Sequence, residues 1–259
     1  MTSVLQHYLS AAVMFGIVFS LCSCQTSNRL LHAKKVPLSP FIEQAHVMMP
    51  ARHRVPFHLI WRNFDRDVQW RVVKKTEIYV APVTLRHLRP VKKVLVKKEI
   101  QQGTVKRDEL RMAQVLRAKF ANAFIHAPTP RYKLVMKPTP NSITLEMAII
   151  ELNPTSPTGN VVKTAAKFIV GPLAGLGGIF TKGNIAIEGK VRNSATKELI
   201  FQFADNEADK MTFYSARDFK PYGHATIAMD EWAKQFEEFA RTMPNHRVKE
   251  SRFFTLKPW

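Results

Sequence analysis

Apolar residues recur along the chain with a helical period in two long segments. In residues 106–126 they lie three and four positions apart, which predicts an amphipathic helix with one buried stripe. A second such stripe predicts a helix over residues 222–243, and Pro128 and Pro244 follow the two segments as end signals. The residues expected to be buried in the first stripe are Leu110, Ala113, Leu116, Phe120, Ala123 and Phe124.

Other segments alternate apolar and polar residues, which predicts strands. The strongest runs are residues 77–83, 132–136, 142–152, 184–191 and 198–203, and a weaker one is 91–96. Asn193, Ser194 and Thr196 separate two of these runs and predict a hairpin turn. The order strand, helix, strands, helix is typical of an α+β domain. We expect a mostly antiparallel sheet of about four to five strands with two amphipathic helices packed on one face.

The N-terminus has a pattern of its own. Residues 1–23 contain no Asp, Glu, Lys or Arg, and residues 9–21 are almost wholly apolar. This length is typical of the h-region of a secretory signal and is short of the ~20 residues that span a bilayer. The segment ends in Leu21-Cys22-Ser23-Cys24, which resembles the lipobox of bacterial lipoproteins and makes Cys24 the predicted site of lipid attachment.

Two other interpretations of this segment stay open. It could be a plain secretory signal, because its n-region offers only the α-amino group and His7 as positive charges, or a retained membrane anchor. Cys22 is the poorer lipid acceptor, because the bulky Leu21 occupies the position where cleavage requires a small residue. Gln25 follows Cys24, and in lipoproteins the absence of Asp at that position favours delivery to the outer membrane.

Both cysteines lie at the signal end, so a mature chain that begins at Cys24 forms no internal disulfide.

The sequence predicts four parts. The predicted parts are a signal peptide (1–23), a tether and N-terminal extension (24–54), a single α+β domain (55–243) and a basic C-terminal tail (244–259).

The chain carries a formal net charge of +19, and the excess is uneven. Residues 52–119 contain 18 Lys or Arg and 6 Asp or Glu, with Lys92, Lys93, Lys97 and Lys98 in the densest part. Such a field attracts anionic lipid, acidic glycan or nucleic acid, and export of the chain argues against nucleic acid. The alternative is a solvated basic surface with no partner.

Residues 168–180 form an uncharged loop with four glycines. The loop has neither the Lys-Ser/Thr pair of a phosphate-binding loop nor the GxGxxG spacing of a dinucleotide site. Two interpretations remain: a pliable connector over the sheet, or a surface for a membrane or a neighbouring subunit, which would make the protein an oligomer. In the second, Leu176, Ile179 and Phe180 make the contact.

Aromatic residues lie among charges in residues 55–70. Phe57, Trp61, Phe64 and Trp70 could form a platform for carbohydrate, but packing within the domain is the better interpretation.

Acidic residues give the only hint of chemistry. Asp205, Glu207 and Asp209 alternate after the last strand and favour an acidic hairpin end over a Ca²⁺ site, which would need more ligands and a glycine. The chain has no HExxH and no GxSxG motif, so we expect no catalytic residues, no metal site and no cofactor.

A hydrolase is the alternative to a non-catalytic domain. It would require Glu146, Glu151 and Glu188, which come from different predicted strand positions, to meet as an acid/base pair.

The same segments resemble a domain-of-unknown-function family of bacterial lipoproteins over residues ~75–243. The resemblance is carried by residues 78–83, the helix to His126, Ile143-Thr-Leu-Glu-Met-Ala148, Ala186-Ile-Glu-Gly-Lys-Val191 with Asn193 and Thr196, and Glu231-Trp-Ala233. The element order is also similar to the small α+β domains of the curli secretion-channel subunit and of penicillin-binding-protein activators. The chain departs from the family pattern in its positive charge and its lysine-rich residues 89–98.

This resemblance implies a non-enzymatic binding or scaffolding role in the cell envelope. We therefore expect a lipoprotein whose acyl chains, palmitate among them, hold it on the outer membrane facing the periplasm. Its expected partner is another envelope protein or an anionic lipid or glycan surface. The alternatives are the envelope hydrolase and a plain secreted periplasmic binding protein.

Overall fold

The computed structural model describes six stretches of the chain, and every structural statement below concerns them. They are residues 36–51, 55–90, 102–154, 184–208, 222–242 and 246–249. The strands are β1 (Met49–Pro50), β2 (Leu59–Arg62), β3 (Glu77–Val80), β4 (Lys133–Val135), β5 (Ser142–Asn153), β6 (Asn184–Asn193) and β7 (Leu199–Ala208). The helices are α1 (Arg66–Val73), α2 (Gln102–Ile125) and α3 (Gly223–Arg241), with a 3₁₀ turn at Ala45–Val47.

All seven strands belong to one mixed sheet in the order β1-β2-β7-β6-β5-β3-β4. The pairs β1–β2, β2–β7, β7–β6 and β6–β5 are antiparallel, whereas β3 is parallel to both β4 and β5. The α+β class is confirmed. The predicted sheet of four to five strands is too small, because the short strands β1 and β2 extend it beyond β7, and their pairing is decided by contacts distant in sequence.

Strands β5, β6 and β7 form the centre of the sheet as a meander. The predicted turn at Asn193 is confirmed: its Oδ1 accepts a hydrogen bond from Ala195 N at 3.0 Å, and Lys197 adopts a φ of +63°. On the other side of β5, helix α2 connects β3 to its parallel neighbour β4, since parallel neighbours need a crossover between them.

The main core contains residues of the sheet and of helices α2 and α3. Phe236 of α3 is central to it, with ring centroids 5.7 Å from Phe120 of α2 and 5.4 Å from Phe203 of β7. Phe57 stacks on Phe203 at 4.4 Å, and Trp232 is completely buried. An aromatic cluster therefore joins the helices to the central strands.

The buried stripe of α2 differs from its prediction at one end. Leu110 is 54% exposed, whereas Leu116 and Phe120 are inaccessible to solvent. The stripe starts instead at Met112. Successive residues are rotated by 100° about the helix axis, which places Leu110 about 100° away from the centre of the buried stripe. Counting residues three and four apart does not locate where a helix first meets its core.

A second, smaller core covers the opposite face of the sheet. Ala148 and Ile150 of β5 and Ala186 of β6 pack there against Phe41 and Ile42. A bulge of β5 between Ile149 and Glu151 then shifts the alternation by one residue, so that Leu152 returns to the main core. The central strands are thus buried on both faces.

Part of the segment assigned to the tether, residues 36–51, lies in this second core and in strand β1. The domain boundaries at residues 24, 55 and 244 stay predictions. The weak strand at 91–96 lies outside the described residues, as do the 168–180 loop, the signal segment and most of the C-terminal tail.

The aromatic residues between 55 and 70 divide into two groups. Phe57 is buried and Trp61 half-buried, as expected for packing. Phe64 and Trp70 are 74% and 62% exposed, so the prediction that they pack within the domain is wrong for these two.

Candidate functional site

Residues 36–51, which we call the N-terminal segment, pack against the sheet and form a cluster of polar contacts centred on Glu188 of β6. Glu188 Oε1 accepts a hydrogen bond from Ser39 N at 2.7 Å, and its Oε2 accepts one from Ser39 Oγ at 2.5 Å. Burial raises the pKa of Glu188, although these two bonds and the charges of Arg89 and Lys190 act in the opposite direction. The carboxylate therefore holds the segment through two bonds in a site that excludes water.

Ion pairs surround the contact between Glu188 and Ser39. Lys190 Nζ lies 2.9 Å from Glu43 Oε1 and 3.5 Å from Glu146 Oε2, and it also lies 4.2 Å from the centroid of the Phe41 ring. Arg192 pairs with the same two glutamates. Because Phe41 and Glu43 belong to the N-terminal segment, cations of β6 bind the segment through both a ring and a carboxylate.

Arg89 fixes the start of the segment. Its Nη2 donates to the carbonyl oxygen of Pro37 at 2.6 Å, and its Nη1 lies 3.1 Å from Glu151 Oε1. The segment is thus held at Pro37 by Arg89, and at Ser39 and Glu43 by residues of β6.

The three glutamates considered for acid/base chemistry all bind groups of the chain itself. Glu188 accepts from Ser39, Glu146 faces two cations, and Glu151 accepts from Arg89 and, at 2.6 Å, from Asn184 Nδ2. Their contacts serve to attach the N-terminal segment and to join neighbouring strands.

A histidine–aspartate pair forms a second cluster where β2 lies beside β7. His58 Nδ1 lies 2.8 Å from Asp205 Oδ1 and 2.8 Å from Asn206 Oδ1. Since both oxygens are acceptors, Nδ1 carries the proton. The other oxygen of Asp205 accepts a hydrogen bond from Trp232 Nε1 at 2.8 Å, which ties the pair to helix α3.

The environment of His58 favours its cationic form. Burial alone would lower the pKa of His58, but the hydrogen bond and the charge of Asp205 outweigh it, with smaller contributions from Asn206 and Glu207. The pKa of His58 is therefore raised. Asp205 is 7% exposed, so a nearly buried carboxylate stabilises the cationic form of the His58 ring.

The sequence pattern predicts an acidic hairpin end at Asp205 and not this pair. That prediction is wrong for Asp205, because β7 continues to Ala208 and contains it. Register explains the pairing: Leu59 lies opposite Ala204, which brings His58 beside Asp205 across 147 positions of sequence. The sequence does contain one signal of a buried acidic residue here. Phe201, Phe203 and Asp205 occupy every second position of β7, so Asp205 lies on the same face of the strand as the two apolar rings that face the helices.

Helices α2 and α3 border a groove of about 470 Å³. Its charges pair with one another: Asp230 lies 2.8 Å from Lys119 and 2.6 Å from Lys234, and Glu237 lies 2.8 Å from Arg241. Burial would raise the pKa of Asp230, but its two lysine partners lower it overall. The groove is therefore lined by an ion-pair network.

No set of three or more metal-ligating side chains occurs among the residues that the structure describes. Within the same residues, no helix is both long enough and apolar enough to cross a bilayer. The contact residues proposed from sequence lie outside the described part of the chain. They are Cys24, Lys92, Lys93, Lys97, Lys98, Leu176, Ile179 and Phe180, together with Asp209 of the acidic run.

Two solved structures show a distant likeness to the chain. The PelC dodecamer from Paraburkholderia phytofirmans aligns with 4% identity and a TM-score of 0.34, over 63% of this chain and 89% of that one. The hypothetical protein CT253 from Chlamydia trachomatis aligns with 15% identity and a TM-score of 0.27, over 64% and 98%. These likenesses are too distant to inform on function.

Curated proteins give no significant match to the chain. A family model does match, over residues 43–236, which include β1 to β7 and most of α3. Its description is "Protein of unknown function (DUF3313)". The chain belongs to the DUF3313 family.

Proposed function

We propose that the protein is a lipid-anchored lipoprotein of the bacterial cell envelope, with its lipid on Cys24. Its α+β domain has a non-catalytic binding or scaffolding role and docks onto another envelope component. The apolar residues 9–21 and the Leu21-Cys22-Ser23-Cys24 sequence support the anchor. Gln25, in place of Asp, supports the outer membrane as its location.

The docked N-terminal segment is the observation that carries this proposal. Pro37 is bound by Arg89, and Ser39 and Glu43 are bound by residues of β6, so the chain is attached to the domain from residue 37 onwards. Thirteen positions separate Cys24 from Pro37. A fully extended chain of this length reaches at most ~45 Å. A lipid on Cys24 would therefore keep the domain at the membrane surface.

Anchoring strength follows from the number of acyl chains. Each buried methylene contributes ~0.8 kcal/mol, so one chain binds marginally and two or more bind stably. With several chains on Cys24, the protein needs no membrane-spanning helix to stay on its membrane.

A docking role also fits the internal polar contacts of the domain. The carboxylates of the sheet bind the chain's own Ser39, Lys190, Arg192 and Arg89. Their hydrogen bonds and charges hold the segment that leads to Cys24. This favours a role in attachment over a role in catalysis for this face of the sheet.

Metabolic labelling with a fatty-acid analogue tests the anchor. We expect label on the wild-type chain and on the Cys22→Ser variant, and no label on Cys24→Ser. Cys22→Ser is the matched control, since it removes a thiol two residues away. Label that persists on Cys24→Ser would overturn the assignment. Crosslinking of the labelled protein in isolated membranes then identifies the docking partner.

A further inference from the structure

Helix α1 presents an exposed face that combines apolar and cationic side chains. Phe64, Trp70 and Val73 are 74%, 62% and 59% exposed, although all three are large hydrophobic residues. Arg66 and Lys74 are exposed on the same short segment. We call Arg66, Trp70, Val73 and Lys74 the α1 face, and Phe64 lies just before the helix.

The helical period separates this face from the part of α1 that packs on the domain. Val68 is 2% exposed and Val72 is half-buried, and both join the main core. Residues one turn apart share a side of a helix, so Arg66, Trp70 and Val73 lie together on the opposite side. Lys74 Nζ lies 4.7 Å from the Trp70 ring centroid, which places an ammonium group beside the indole.

The rest of α1 is held firmly, so the α1 face is preformed. Asp65 Oδ1 accepts hydrogen bonds from Asp67 N and Val68 N and caps the helix. Arg71 pairs with Glu198 at 3.0 Å, and Asn63 N donates to Ile200 O at 2.9 Å. A ligand that binds this face therefore orders no further chain.

The surroundings are positively charged. Residues 62–75 contain five Lys or Arg and two Asp. One of the two acids, Asp65, accepts hydrogen bonds from backbone N–H groups at the positive end of the helix, which reduces its effect on an approaching anion.

We propose that the α1 face contacts an anionic lipid surface, with Trp70 and Val73 in the headgroup region and Arg66 and Lys74 against lipid phosphates. Tryptophan favours this interface because one end of the indole is apolar and its N–H is polar. Cations beside an anionic leaflet strengthen the contact. The proposal rests on the proposed lipid anchor only in that the anchor brings the face to the membrane.

Fluorescence quenching of Trp70 by lipid tests this contact directly. The full chain is reconstituted in vesicles that carry a quencher near the headgroup, made of phosphatidylcholine alone or with about one third phosphatidylglycerol. The difference between wild type and Trp70→Phe isolates the emission of Trp70 from that of the other tryptophans. We expect quenching in the anionic vesicles and little in the neutral ones.

Charge removal and a displaced tryptophan serve as controls. Each cation near an anionic surface changes binding about fivefold, so Arg66→Gln/Lys74→Gln should weaken the binding of the α1 face to anionic lipid at least that much and reduce Trp70 quenching. Ile125 is 56% exposed, and residues 120–130 contain no Lys or Arg. Ile125→Trp combined with Trp70→Phe should therefore show no such quenching.

Three results would overturn the proposal: equal quenching in neutral and anionic vesicles, equal quenching at position 125, or no quenching of Trp70. A photo-crosslinker at Trp70 that joins the chain to a protein rather than to lipid in cells would also overturn it, because a protein would then occupy this face.

The same measurement with Cys24→Ser separates this proposal from the lipid anchor. Quenching of Trp70 in the serine variant, together with absent fatty-acid label on wild type, means that the α1 face binds lipid without the anchor. Label on wild type without quenching means that the anchor stands and the α1 face does not bind lipid.

Discussion

Replacing Gly189 by alanine tests how the sheet and the helices are packed together. Gly189 lies on β6 opposite Phe203 of β7, on the face of the sheet that packs against the main core. A Cβ at this position would overlap the ring of Phe203. Glycine weakens a strand in general, and here the ring covers the bare backbone that glycine leaves.

The expected cost follows from what the ring touches. Phe203 is inaccessible to solvent, stacks on Phe57 at 4.4 Å and lies 5.4 Å from Phe236, so it has no free space to enter. Overpacking costs about 1–3 kcal/mol. Each aromatic contact that a displaced ring loses costs a further ~0.5–1.5 kcal/mol. We expect Gly189→Ala to lower the free energy of unfolding by about 3 kcal/mol.

Urea unfolding followed by the fluorescence of buried Trp232 measures this value, and a double-mutant cycle assigns its cause. Phe203→Leu removes the ring, so the methyl group of Gly189→Ala fits better in that background. The double variant should be more stable than the sum of the single effects by at least ~1 kcal/mol. Additive effects, or a cost of Gly189→Ala below ~0.5 kcal/mol, would refute the reasoning.

Three further predictions concern titration and a turn. Asp205→Asn should lower the pKa of His58, since it removes the carboxylate that raises it, and an NMR titration of the His58 ring measures this; an unchanged pKa would contradict the pairing. Burial lowers the pKa of His224 from 6.5 to about 4, so the folded protein holds this ring in its neutral form. The stability present above pH 6.5 is therefore lost progressively as the pH falls towards 4. Between pH ~7.5 and ~5 the free energy of unfolding should fall about 2 kcal/mol more in wild type than in His224→Gln; identical slopes would disprove it. Lys197→Gly should raise the midpoint of urea unfolding by the equivalent of about 0.5–1 kcal/mol, because glycine adopts a φ of +63° without steric cost; a lower midpoint would contradict this.

Sequence patterns located the elements that are long and strictly periodic. Strands β5 and β6 and helix α3 follow the predicted segments closely, because each repeats its period several times. Helix α2 begins four residues before its predicted start, and β7 continues to Ala208, five residues past its predicted end. Strand β2 has four residues and helix α1 eight, which is too short for a period to stand out. The parallel placement of β3 beside β5 has no local signal at all, since it depends on the crossover through α2.

The site residues were harder to predict for the same reason. Ser39 and Glu188 are 149 positions apart, and no local pattern pairs a serine before a proline with a strand carboxylate. The exposure of Trp70 likewise depends on which side of α1 meets the sheet, and Val68 and Val72 decide it. Composition predicted a basic surface, and tertiary structure determines which aromatic residue lies within it.

The central claim is that Cys24 carries the lipid that holds the domain at its membrane. Mass spectrometry of the protein purified from membranes tests it most directly. We expect an N-terminal peptide that begins at Cys24 and carries the added mass of acyl chains. An unmodified Cys24, or a chain that retains residues 1–23, would contradict it.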